Sequence, residues 1–153
     1  MIDVGKKAPS FSLSDKDGKK ISLKDVDASY TVVYFYPKDN APGCTIEAHG
    51  FEKLKTKFKN ANAVVVGISG GDEKSKTKFC EKQNLSILLL SDSDFAVSTK
   101  YGVYGEKKFM GKTYMGINRV TFLLDKDKKV IKRYDSVKPL THPQNVLDDI
   151  TSF

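Results

Sequence analysis

The sequence predicts an α/β protein built on a central sheet, and three observations carry that reading. Thr31–Tyr36, Ala63–Ser69 and Ile87–Leu90 are short, almost continuously apolar runs, as expected of strands covered on both faces. Segments with helical periodicity follow them, so β and α elements alternate. Pairs of strand-like runs joined by turn signals lie towards both ends of the chain. With no internal repeat and no interdomain linker, residues 1–153 read as a single domain with one continuous core.

Phe11–Leu13 and Ile21–Leu23 flank a polar stretch with Asp17-Gly18 as its turn signal, which predicts an N-terminal β-hairpin. Pro37 closes the Thr31–Tyr36 strand, and Asp39, Asn40, Pro42 and Gly43 force the chain out of regular structure. Beyond them Cys44, Ala48, Phe51, Leu54 and Phe58 share one side of a helix. Gly70-Gly71 ends the second strand, and Asp72–Asn84 reads as a helix with a thin apolar stripe, little more than Phe79 and Cys80. After Ile87–Leu90, Asp92 or Asp94 is placed to cap a short helix that Gly102 stops. Gly102–Ile117, with four glycines, is predicted to be a long functional or mobile loop. Val120–Asp125 and Val130–Tyr134 make a second hairpin. Thr141 with Gln144 resembles a capping box opening a last helix, whose inward face is Pro143, Val146, Leu147 and Ile150.

Cys44 falls where strand, tight loop and helix start meet. The first amides of a helix lack partners and the dipole is positive there, so the position suits an anion and favours thiolate over thiol. The same place also suits a small buried hydrophobe, which is what most free cysteines are. Local geometry accommodates both.

The net charge is +7, nearly all from lysine, with Arg119 and Arg133 the only arginines. The lysines are spread along the chain without a recognition motif, and a solvated surface explains them better than nucleic-acid binding. No apolar run approaches the roughly 20 residues of a membrane helix. The opening MIDVGKKAPSF lacks a secretory signal, and two cysteines without one point to a reducing compartment, so a cytoplasmic protein is expected. His49 lies about 140° around the helix from Cys44 and roughly 7.5 Å along it, a poor place for a general base. His142, in or next to the cap of the last helix, is no stronger. Cys44, Cys80 and the two histidines lack paired ligand spacing, so no metal is expected.

PKDNAPGCT closely resembles the peroxidatic loop of the peroxiredoxins, particularly the Q-type (bacterioferritin-comigratory) subfamily. VGKKAPSFSLSDKDGKKISL, YGEKKFMGKTYMGINRVTFLLD and the tail extend the resemblance over essentially the whole chain. It implies a thioredoxin-like fold, a central mixed β-sheet flanked by helices. It also implies a thiol peroxidase without cofactor, acting on hydrogen peroxide and small organic hydroperoxides. In that cycle the Cys44 thiolate takes a peroxide oxygen and becomes a sulfenic acid. A second thiol condenses with it, and thioredoxin reduces the disulfide.

Pro37 and Cys44 match the ends of the family's loop pattern, whereas Ala41 stands where the family has Thr. His49 stands where many relatives carry a second cysteine. The resemblance therefore makes Cys80 the resolving thiol, matching a Q-type variant with that cysteine on the following helix. It places the family's essential arginine at Arg119, which alternation sets on one strand face with Thr121 and Leu123. A strand-end arginine pointing into solvent is the alternative. Because a disulfide needs Cα atoms within about 7 Å, oxidation is expected to unwind the first turn at Cys44 and part of the Cys80 helix.

Two rival readings remain: a general thiol–disulfide oxidoreductase, disfavoured by the lack of Cys-x-x-Cys, and a binding or holdase protein whose Ala41 marks a weakened site. Q-type relatives are often monomers and no exposed apolar stripe argues otherwise, so a monomer is expected.

Overall fold

The structure, a computed structural model, describes residues 1–153. The strands are β1 (Ser12–Ser14), β2 (Lys20–Ser22), β3 (Tyr30–Phe35), β4 (Ala63–Ser69), β5 (Leu88–Ser91), β6 (Tyr104–Phe109), β7 (Lys112–Ile117), β8 (Val120–Leu124) and β9 (Val130–Tyr134). The helices are α1 (Pro42–Lys53), α2 (Lys55–Asn60), α3 (Glu73–Gln83), α4 (Ala96–Lys100) and α5 (His142–Ser152).

Seven strands form one mixed sheet in the order β2-β1-β5-β4-β3-β8-β9. β3 runs parallel to β4 and antiparallel to β8, and β4 runs parallel to β5. The β1–β2 hairpin joins the edge through a pairing of Ser14 with Ser91. This is the thioredoxin-like arrangement, with the N-terminal hairpin at one side.

β3 is central, and its side chains divide between two cores as a strand buried on both faces must. Val32, Tyr34 and Tyr36 pack with side chains of α1, α2, α3 and α5. Val33 and Phe35 pack with Leu90, Val97, Tyr101 and Phe122 on the other face. Cys44, Ala48 and Phe51 are the inward face of α1, as their spacing predicts. The helix then breaks at Leu54, and the short α2 carries Phe58 into the same core.

The structure corrects two expectations. Gly102–Ile117 is not a loop, because β6 and β7 pair in antiparallel register from Tyr104↔Ile117 to Phe109↔Lys112. Met110 and Gly111 make its tight turn, both with positive φ as a two-residue hairpin requires. The ribbon stands outside the main sheet and is mostly exposed, so no inward–outward alternation marked it in the sequence. It presents Phe109, Met110, Tyr114 and Met115 to solvent. The capping box is also absent. Thr141 has a helical backbone and no side-chain cap bond, and the Gln144 amide donates to Asp148 instead.

Asp92 and Asp94 both cap α4: Asp92 accepts from the amides of Val97 and Ser98, and Asp94 from that of Ala96. No helix is long and apolar enough to cross a membrane.

Candidate active site

Cys44 is the third residue of α1 and is almost wholly buried. The chain reaches it from the end of β3 through Pro37, which is half-buried, and Asn40, whose φ of 63° turns the loop back. Ala41 occupies the N-cap with an extended backbone, but its methyl offers no cap bond and packs on the core edge instead. Pro42 at the first helical positions has no N–H to leave unpaired. The helical ladder begins with Thr45 N–H donating to Ala41 O, which leaves the Gly43 and Cys44 amides without an acceptor in the chain.

Arg119 directly precedes β8, on the face shared by Thr121 and Leu123. Its Nη2 donates to Cys44 Sγ at 3.4 Å and its Nη1 to Glu47 Oε1 at 2.8 Å. The guanidinium fork thus spans one turn of α1. A Cβ on residue 43 would lie 3.1 Å from Arg119 Nη2, so bare backbone at Gly43 lets the guanidinium close over the helix start. Burial works against the charge on Arg119, but the Cys44 sulfur and the Glu47 carboxylate outweigh it and hold the guanidinium above its usual range.

Sequence reasoning missed Glu47. It lies three residues after Cys44 and four before Phe51, hence on the apolar face, and that placement was the available signal. Its side chain is fully buried. Burial pushes the carboxyl up to about 7 against the pull of Arg119, and Oε2 has no hydrogen-bond partner.

His142 opens α5 beneath this pair. Its Nε2 lies 2.8 Å from Thr121 Oγ1 and its ring packs edge-on to Phe51 and Tyr134. Burial, helped by the charge of Arg119, lowers it to about 4, so it is a neutral packing residue at ordinary pH. His49 is exposed and bonds Gln83 of α3 at 3.0 Å, away from the sulfur.

These two shifts act on stability in opposite senses. Glu47 holds its proton more tightly when folded, so stability falls as pH rises from about 4.5 to about 7. His142 resists protonation when folded, so stability falls as pH drops from about 6.5 to about 4. The slopes oppose one another where they overlap, and a variant difference separates them. Relative to the unaltered protein, Glu47→Gln is expected to gain about 3 kcal/mol between pH 4.5 and pH 7 in urea unfolding. Parallel curves would show that Glu47 does not titrate there.

Cys80 lies on α3, buried in the same core as Cys44, and the two sulfurs are unbonded. Burial raises its thiol above the usual range, with Lys16 opposing. The structure therefore assembles Cys44, Arg119 and Glu47 around a helix N-terminus, with Ala41 at the cap and Cys80 apart on α3. Negative charge developing on an oxygen next to the sulfur would meet two free amides and a guanidinium, groups fixed before the reaction begins.

The AhpC/TSA family profile matches residues 4–133. The chain is 43% identical over 147 residues to Peroxiredoxin Bcp of Escherichia coli, covering 96% of this chain and 94% of that protein. It is 40% identical over 149 residues to Peroxiredoxin Bcp of Bacillus subtilis, covering 97% and 95%. Its fold matches a cysteine-to-serine mutant of Xylella fastidiosa PrxQ with a TM-score of 0.93 at 31% identity, covering 99% of this chain and 97% of that one. Peroxiredoxin Q of Xanthomonas campestris matches with a TM-score of 0.86 at 37% identity, covering 93% and 90%. With profile, relatives and fold in agreement, the chain belongs to the AhpC/TSA family, as a peroxiredoxin of the Bcp or peroxiredoxin Q type.

Proposed function

We propose that Cys44 is the peroxidatic cysteine of a thioredoxin-recycled peroxidase acting on hydrogen peroxide and small organic hydroperoxides. The observation that carries this is the 3.4 Å contact from Arg119 to Cys44 Sγ at a helix start with two free amides. The thiolate forms an S–O bond as the O–O bond breaks. The leaving oxygen takes a proton from solvent and departs as water or alcohol, and Cys44 is left as a sulfenic acid.

Cys80 is the resolving thiol in this reading. It is the only other cysteine, 36 residues on. The Xanthomonas campestris structures include serine mutants of two cysteines with that same separation. Thioredoxin then reduces the disulfide, in a protein working as a monomer in the cytoplasm. Static light scattering is expected to show a single 17.0 kDa species despite the exposed Phe109, Met110, Tyr114 and Met115, and twice that mass would contradict the monomer.

Stopped-flow oxidation of Cys44 separates this reading from a binding or holdase role. A rate far above that of a free thiol at the same pH is expected, and equality with the free thiol would exclude peroxidase function. Ala41→Thr places a hydroxyl at the N-cap of the helix that carries Cys44. A hydrogen bond to a charged group contributes roughly 1.5–3 kcal/mol, so the variant is expected to oxidise about 10- to 100-fold faster. No gain would mean that the hydroxyl contributes nothing in this loop.

A further inference from the structure

Asp39 and Lys76 form an ion pair that the reaction at Cys44 does not use. Both side chains are buried, Lys76 at 0% and Asp39 at 3% exposure, with Nζ 2.9 Å from Oδ2. Lys76 Nζ also donates to Ser69 Oγ at 2.7 Å and to Gly71 O at 3.2 Å. The Asp39 carboxylate further accepts from Tyr36 Oη at 2.6 Å, Ser75 Oγ at 2.6 Å and Ser69 Oγ at 3.3 Å. The Gly71 backbone passes so close that a Cβ there would collide with Asp39 Oδ2. Buried charges with this many partners are tolerated; separated, each would be left uncompensated.

The position of the pair is what gives it a role. Asp39 lies in the loop ahead of α1, five residues before Cys44, and Lys76 lies near the start of α3, four residues before Cys80. In this reading, joining the two sulfurs unwinds the first turn of α1 and the C-terminal half of α3, which holds Cys80. Both of those segments are C-terminal to the anchor points, so they can unwind without disturbing the pair.

We propose that the Asp39–Lys76 pair is a clasp that persists through disulfide formation and positions Cys80 to reach Cys44. The proposal rests on the reading of Cys80 as the resolving thiol. Without the clasp, the shortest folded path between the cysteines crosses the β3–β4 pairing at Tyr36 and Ile68, eight residues before Cys44 and twelve before Cys80, whereas through the clasp it is the five and four residues that flank it. Closure probability falls as the three-halves power of loop length, so the shorter path favours encounter by about 3-fold. Extended, the two flanking segments span up to roughly 17 and 14 Å, ample for the sulfurs to meet. In the step itself, Cys80 sulfur attacks Cys44 sulfur, the S–S bond forms and the S–O bond breaks. The departing hydroxide combines with the thiol proton as water.

Rapid-quench mass spectrometry of Lys76→Met after one equivalent of hydrogen peroxide tests this. Formation of the Cys44–Cys80 link is expected to slow about 3-fold, while peroxide-dependent loss of the Cys44 thiol is expected to stay unchanged within about 1.5-fold. Adding Asp39→Asn should slow the link no further, since both changes open the same clasp. Link formation at the unaltered rate or faster overturns the proposal, as does a proportional fall in both steps. Hydrogen exchange on the unaltered disulfide form is the second measurement. The Ser75 and Lys76 amides are expected to stay protected while those of Lys78–Asn84 open, and loss of protection along the whole of α3 overturns the clasp. Failure of the unaltered protein to form any Cys44–Cys80 link would instead remove the resolving role of Cys80, and the clasp with it.

Discussion

Arg119→Ala is expected to slow oxidation of Cys44 by hydrogen peroxide about 100-fold, the usual effect of removing one fixed donor from a developing anion. The guanidinium contacts the sulfur directly and is the only cation hydrogen-bonded to it. The fold is expected to survive. Glu47 would lose its partner, but burial already holds its carboxyl up at about 7, so it can take a proton instead of remaining a stranded charge. Arg119→Lys should recover only part of the rate, because an ammonium cannot bridge sulfur and carboxylate as the planar fork does. Second-order rate constants from a peroxide titration decide the matter. A loss of less than about threefold would leave activation to the backbone amides alone.

Cys80→Ser is expected to leave the first oxidation of Cys44 unchanged while thioredoxin-coupled turnover falls roughly 100-fold or more, since an external thiol must replace a tethered one. With no partner sulfur in the chain, Cys44 should accumulate as sulfenic acid and pass to sulfinic acid in excess peroxide. Steady-state turnover and intact-mass spectra read the two halves of this outcome separately. Unchanged turnover would make Cys80 an inert packing residue and assign resolution to an external thiol.

Burial on both faces is what made the central sheet legible. It forces β3, β4 and β5 to be short apolar runs, and those runs appear directly in the sequence. The start of α1 was equally plain, because Pro37, Pro42 and Gly43 leave few ways for a strand to become a helix. The β6–β7 ribbon was hidden for the opposite reason: its exposed side chains carry no period, and only backbone pairing defines it. Thr141 and Gln144 had the residue types of a capping box, yet residue types do not fix backbone angles, and Asp148 captured the glutamine.

Two charged residues escaped notice on helices whose faces were otherwise read correctly. Glu47 and Lys76 are wholly buried, whereas acids and lysines on an amphipathic helix ordinarily point to water. Their burial is tolerable only because Arg119 and Asp39, distant in sequence, meet them in the fold. Arg119 itself was placed on the correct face by strand alternation, but its contact with Cys44 needed the packing of β8 against β3 to become visible.

The most direct measurement is peptide mass spectrometry after a single equivalent of hydrogen peroxide, quenched on the millisecond scale and followed in time. Oxygen is expected on Cys44 alone at the earliest points, followed by conversion to a Cys44–Cys80 link. Oxidation appearing first on Cys80, or on neither cysteine before a free thiol competitor is consumed, would contradict the assignment.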